Sequence, residues 1–425
     1  MSTHAPRPIR PLRRARRIMQ SQGCFALAIA SRTLAAGGAF CLLSSCASVP
    51  ESPQSATLSS DARAPQNKKQ IVETPREQEK IDAAKFLAGS DFPADALLIP
   101  AVASSSAMIE THRCDLSDAR IEESSGLGAS RRFAGCVWTH NDSGDKPRFF
   151  LVGTSGALCG KTRATVTLGG AQSSDWEDMA VSGTAKNAFI YAGDIGDNLK
   201  RRTNISMSRF AESTLPANLN ITPRMSTHAG ASRASATNAK MPNPKFQVAP
   251  EITVRAERMT LRYPDGAHDA ETLLASPDGR LIIVTKDLKG SLVFITPRPW
   301  AANTTQTLER IGALHFASNS FFGRLATGGD ISPDGTHLVL RTYIDAFEWK
   351  LPPKLFAREA LSNATSNADS WKETKQLWQA VWRQAPRAWV LPVTRQGEAI
   401  CYGLDARRLF TTSEKTPAPL IELTH

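Results

Sequence analysis

Beyond about residue 114 the chain is a succession of short apolar runs separated by clusters of Gly, Pro, Asp and Ser, with little helical periodicity. The runs 136–139, 188–192, 281–285, 337–341 and 409–412 are short and rich in β-branched and aromatic residues, and they read as strands. Roughly a dozen residues before each lies a short acidic motif. The five copies are Glu123-Ser124-Ser125-Gly126-Leu127, Trp176-Glu177-Asp178-Met179-Ala180, Ala270-Glu271-Thr272-Leu273-Leu274, Gly329-Asp330-Ile331-Ser332 and Gly397-Glu398-Ala399-Ile400. Turn signals such as Ser276-Pro277-Asp278-Gly279 and Ser332-Pro333-Asp334-Gly335 stand between motif and strand. Each copy is thus a β-hairpin with an acid at its entry. Antiparallel repeats of about 45 to 60 residues mark a β-propeller, whose blades bury their faces against one another.

The fold class is therefore all-β, a single propeller over residues 86–425. The longest interval between motifs contains residues 222–250, which are poor in large apolar side chains and read as a loop insertion. This spacing gives five blades, or six if a blade is hidden there. Residues 356–382, with Leu361, Trp371, Leu377 and Val381 at helical spacing, read as an insertion of one or two helices outside the ring. Closing the ring needs a strand from residues 90–120 beside the C-terminal blade.

Charge changes the picture at the N-terminus only. The formal net charge is +11, but residues 1–46 hold seven of the 51 bases and none of the 40 acids, so the remainder is near +4. No basic run with interleaved aromatics follows, which disfavours nucleic acid as a partner. Residues 1–45 read as an export leader, Arg-rich and then apolar, with translation starting at Met1 or Met19. Arg32 interrupts the apolar stretch, which is too short to span a bilayer. Leu43-Ser44-Ser45-Cys46 matches the pattern of a bacterial lipoprotein cleavage site, so Cys46 is expected to carry lipid and hold the protein at the extracytoplasmic face of a cell or outer membrane. Residues 46–85, rich in Ser, Pro, Gln and charge, read as a disordered tether. Cys114, Cys136, Cys159 and Cys401 remain for the body, either as two disulfides in one of three pairings or as buried thiols.

Inner strands line a propeller's channel, so Glu177, Asp178, Glu271, Asp330 and Glu398 are expected to converge on one axis, with Lys286 and Arg341 at the ends of the following strands as basic partners. Asp178, Glu271, Glu398, Lys286 and Arg341 form the catalytic candidates, and Glu177, Asp330, His140 and His268 the ligand-binding ones. The structural alternative is that these acids cap turns or form salt bridges between blades. His140-Asn141-Asp142-Ser143-Gly144-Asp145 and Gly193-Asp194-Ile195-Gly196-Asp197-Asn198 place hard oxygen donors in glycine-containing loops, which suits calcium. Asp142, Asp145, Asp194, Asp197 and Asn198 are the metal candidates, with Asx-turns as the alternative use. There is no Gly-x-Ser-x-Gly elbow, Walker loop, dinucleotide fingerprint or His-Glu-x-x-His motif.

Taken together, Trp138-Thr139-His140-Asn141-Asp142-Ser143-Gly144, Asp175-Trp176-Glu177-Asp178, Gly193-Asp194-Ile195-Gly196-Asp197-Asn198, Tyr263-Pro264-Asp265-Gly266, Asp269-Ala270-Glu271, Thr285-Lys286, Arg341-Thr342-Tyr343 and Gln396-Gly397-Glu398-Ala399-Ile400 resemble a family of secreted bacterial β-propeller lipoproteins. More distantly, the chain is similar to propeller domains described as having esterase-like activity of phytase. The resemblance covers about residues 114–425 without the insertions, and departs where Ser413-Glu414-Lys415 replaces the expected Ser-Glu-Gly. It supplies little biochemistry of its own; the residues themselves point to a lipid-anchored propeller with an acid-lined funnel for an anionic or carbohydrate ligand, with or without calcium. A calcium-dependent phosphoesterase is the rival it suggests, and a five-bladed glycosidase using two carboxylates is a third reading.

Overall fold

We describe residues 92–103, 106–219, 249–355 and 368–424 of a computed structural model. The expected leader, Cys46, the tether, most of the 222–250 insertion and residues 356–367 lie outside the described residues. Five small sheets form a ring, and their strands follow the hairpins expected from the turn signals. Blade 1 runs outward through Ser124–Ala129, Cys136–Asn141, Arg148–Gly153 and Thr162–Gly169. Blade 2 uses Trp176–Ser182, Phe189–Asp194, Ile205–Ala211 and Glu257–Arg262, and blade 3 uses Ala270–Ala275, Leu281–Thr285, Ser291–Ile295 and Glu309–Phe316. Blade 4 consists of Ala326–Ile331, His337–Thr342, Asp345–Lys350 and Arg387–Val390. In blade 5, Gly397–Tyr402, Leu409–Ser413 and Pro419–Thr424 are completed by Ile109–Asp115, so a strand from the start of the body closes the ring.

The alternative of six blades fails for a definite reason. Glu251–Arg255, directly after the insertion, pairs in parallel with Thr162–Gly169 and extends blade 1 instead of founding a new sheet. Thr305–Thr307 and Leu97–Ile99 cover the outer edges of blades 2 and 3 in the same way, which protects unpaired backbone from other chains.

Apolar side chains segregate into five clusters, one per junction. Leu151, Trp176 and Phe210 fill the junction of blades 1 and 2, Tyr191, Leu273 and Phe294 that of 2 and 3, and Leu340, Phe347 and Trp349 belong to that of 3 and 4. Tyr402 with Val339, and Cys401 with Phe150, serve the last two. The helix α1, Ala368–Trp382, is the one α-helix among the described residues; it buries Trp378 and Trp382 against blades 3 and 4, Trp382 lying over Gly312. No described helix is long and apolar enough to cross a membrane. A buried carboxylate, Glu212, knits blade 2 to blade 1 by accepting from Ser130 Oγ at 2.5 Å, Trp138 Nε1 at 2.8 Å and the backbone of Arg131 and Arg132.

Of the body cysteines, Cys114 and Cys159 form a disulfide that ties the closing strand to the loop after the third strand of blade 1, while Cys136 and Cys401 are free thiols. Peptide mapping without reduction should recover that single link. Replacing both partners by serine should lower unfolding stability by about 4 kcal/mol, the loop-closure entropy of a 45-residue separation, measured by denaturant titration.

Candidate functional site

All five inner strands share one irregularity. The register slips between Ser124 and Gly126, Trp176 and Asp178, Ala270 and Thr272, Ala326 and Gly328, and Gly397 and Ile400. A β-bulge here breaks the alternation of faces, so the bulged residue and its successor both turn to the axis. The ring of equivalent bulged residues is Ser125, Glu177, Glu271, Thr327 and Glu398. Where the acid is missing, a hydroxyl links the blades instead: Ser125 Oγ donates to the Glu177 carbonyl at 2.5 Å and Thr327 Oγ1 to that of Gly397 at 3.1 Å.

The residues just past the second strands are Asp142, Ile195, Lys286, Tyr343 and Glu414; Ile195 is buried in the core between blades 2 and 3, and the other four join the mouth acids as a second tier. Asp142, Asp175 and Glu177 each present a carboxylate oxygen within 4.8 Å of the others. Gly196 lies against two of them, since a Cβ there would overlap the carboxylates of Glu177 and Asp175. Across the mouth, Lys286 Nζ donates to Glu271 and sits 5.5 Å from the Tyr343 ring centre. Gln396 Nε2 donates to Glu398 Oε1 at 3.0 Å and to Glu414, while the other carboxylate oxygen, Glu398 Oε2, is buried without a hydrogen-bond partner. Lys415 on the rim pairs with Glu123 at 2.9 Å and lies 3.5 Å from Glu414.

So many acids share one partly dry space that their charged forms are disfavoured. Burial, reinforced by neighbouring carboxylates, lifts Asp175 to about 6 and Glu414 to about 7. Burial also lifts Glu271 to about 7 in spite of Lys286, and drives Glu177 and Glu398 well above the ordinary glutamate value. Lys286 is held charged by Glu271, Tyr343 and Glu398 against the opposing effect of its burial. It is a single base at the centre of an acid excess.

No protein-family model matches the chain, and no curated protein matches it. The site must be read from its own geometry.

Of the sequence candidates, the structure brings Asp142, Glu177, Glu271, Glu398 and Lys286 together. It separates the rest. Asp330 is not the equivalent of Glu177; it lies three residues past the bulged Thr327, and the alignment of motifs by acid alone hid this. Asp330 accepts from Ile331 N and, across to blade 5, from Tyr402 N at 2.9 Å. Asp178 accepts from Met179 N, from Leu273 N of blade 3 at 2.9 Å and from Gly329 N of blade 4. Both are fully buried staples between blades.

Arg341 is also internal: its guanidinium donates to Thr342, Tyr343 and Ala399 carbonyls and to Thr411 Oγ1, so it has no face left for an anion. His140 packs edge-on against Phe149 and Trp176, and burial lowers it to about 4, so its ring is neutral. His268 pairs with Asp265 and packs edge-on against Tyr263. Among the metal candidates only Asp142 reaches the acid trio. Asp145 pairs with Arg148, Asp194 pairs with Arg202 and accepts from Asp175 N, Asp197 accepts from Arg202 N, and Asn198 is exposed. Asp175, Glu414, Tyr343 and Gln396 were not among the sequence candidates; aligning the position after each second strand, rather than the acids, would have found two of them.

Two outcomes follow from this arrangement. Glu271 and Glu414, at about 7, hold protons in the native state that an unfolded glutamate near 4.5 has released, so stability should fall as pH rises from about 5 to 8 in chelator. Thermal unfolding midpoints across that range test the sign; buried His140, lowered to about 4 from 6.5, opposes the trend at the acid end but is outnumbered by the raised acids, and acids held low by partners, such as Asp118 at about 2, have finished titrating below the range. Separately, Asp330→Ala should cost about 3 kcal/mol by leaving two buried N–H groups unpaired, measured by denaturant unfolding.

Proposed function

We propose that this protein is a calcium-dependent binding propeller, held at an extracytoplasmic membrane surface by lipid on Cys46, which captures its ligand through a cation seated at the channel mouth. The observation that carries the reading is the close approach of the Asp142, Asp175 and Glu177 carboxylates. They offer hard oxygens only, which favours calcium or magnesium over softer metals. Calcium takes about six to eight oxygens, so three carboxylates leave positions for ligand oxygens, such as those of a carboxylate or of neighbouring sugar hydroxyls. A phosphoesterase is less well supported. Its two expected phosphate clamps are engaged, Lys286 by Glu271 and Arg341 by backbone.

Calorimetric titration of calcium chloride into the chelated full chain tests this. One site per chain is expected, lost in Glu177→Gln and in Asp142→Asn and retained in Asp197→Asn. Protons compete for the same oxygens, so affinity should be about tenfold or more higher at pH 8 than at pH 6. No binding heat at pH 8, or full binding by Glu177→Gln, would remove the reading.

A further inference from the structure

Eight large apolar side chains are exposed among the described residues. Six of them, Leu199, Leu288, Phe321, Phe322, Ile344 and Val393, occupy loops that either join a second strand to a third or lead from one blade into the next inner strand. In a propeller both kinds of loop lie on the face where the inner strands begin, which here is the face of the channel mouth. Val393 is 94% exposed, Leu199 69%, Phe322 55% and Phe321 54%. Direct contacts join the loops into an arc from blade 2 to blade 5: Lys200 pairs with Asp287, Lys286 lies over the Tyr343 ring, Phe322 packs edge-on against Tyr343, and Leu391 N donates to the Ile344 carbonyl at 2.9 Å.

Five of the six are followed closely by a base, in Leu199-Lys200-Arg201, Leu288-Lys289, Phe321-Phe322-Gly323-Arg324 and Val393-Thr394-Arg395, while Ile344 is followed by Asp345. Arg201, Lys289 and Arg395 are exposed. Apolar wedges beside cations are the composition that seats a protein in the headgroup region of an anionic bilayer. Apart from the contiguous group Phe321, Phe322, Tyr343 and Ile344, the tips stand on separate loops spread over blades 2 to 5, unlike the single packed core of a protein interface. The chain also enters on this side: Pro93 lies against Gly290, in the loop that carries Leu288, and Phe92 packs on His315. Ninety-one residues precede Phe92.

We infer that this face docks on an anionic phospholipid surface, with the loop tips inserted and the channel mouth turned toward the headgroups. The inference does not rest on a cation in the mouth or on lipid at Cys46.

Flotation of the full chain carrying Cys46→Ser with mixed phosphatidylcholine–phosphatidylglycerol vesicles tests it, because that variant lacks the thiol expected to carry lipid. The protein should float with anionic vesicles and be released as salt is raised. Phe322→Ser with Val393→Ser should lower the partition coefficient about tenfold or more, and so should Leu199→Ser with Phe321→Ser. Leu404→Ser, on the opposite face, should leave it unchanged; thermal unfolding verifies that each variant is folded. Undiminished flotation of both tip variants would assign the vesicle binding to the basic N-terminal residues and overturn the inference. Failure of the parent to float, or an equal loss in Leu404→Ser, would overturn it too.

Discussion

The bulge at the second residue of every inner strand is the constraint from which the channel follows. A regular strand would send alternate residues to the axis and to the blade interior. With the bulge, Glu177 and Asp178 both face the axis, and the three strands after them in the ring, together with that of blade 1, repeat the slip. The upper position of each pair carries a glutamate in three blades, its side chain among the polar groups of the mouth. The lower position is held by Gly126, Asp178, Thr272, Gly328 and Ala399. A Cβ at Gly126 would strike the rings and chains of His140 and Met179, and one at Gly328 would strike the Glu398 carbonyl. Asp178 fits there only because its oxygens are taken up by backbone N–H groups of three blades.

This division explains why one residue type does two jobs within a few ångströms. A buried carboxylate is tolerated when hydrogen bonds replace its lost hydration. Asp178 and Asp330 have that replacement, and in return they hold neighbouring inner strands in register. The mouth acids have less of it. Lys286 neutralises Glu271, Gln396 serves one oxygen of Glu398, and Glu177 has acids for neighbours. At neutral pH such a group of charges is relieved either by protons or by a cation, and the two compete for the same oxygens.

Much of the fold was legible because it rests on local signals. The hairpins announced themselves through Ser-Pro-Asp-Gly turns and the strands through apolar runs, and the closing strand fell within the stretch expected for it. The blade count followed once residues 222–250 were read as an insertion, but the edge strand Glu251–Arg255 did not, since a parallel edge pairing leaves no local pattern. The site was only partly legible. Acids were aligned with acids, which is right for Glu177, Glu271 and Glu398 and misplaces Asp330, because the bulge that sets the register is a property of pairing and not of composition. Burial was the other hidden quantity. Arg341 looked like a ligand-facing base by its place at a strand end, and only packing shows that its donors are spent on carbonyls and a threonine.

The two faces of the ring differ in a way that bears on where function resides. The turns between first and second strands close on themselves: Gly279 N donates to the Ser276 carbonyl and Gly335 N to that of Ser332, both at 2.8 Å, with Gly279 and Gly335 in the left-handed region where glycine is at ease. Asp278 and Asp334 spend their oxygens within those same turns. Short, internally satisfied turns present little to a partner. Loops of the opposite face leave Leu199, Phe321, Phe322 and Val393 in water, around a mouth where carboxylates outnumber their partners. Exposed apolar tips and underpaired acids are each unfavourable for an isolated chain. That both occur on the same face argues that this face is the one that meets what the protein binds.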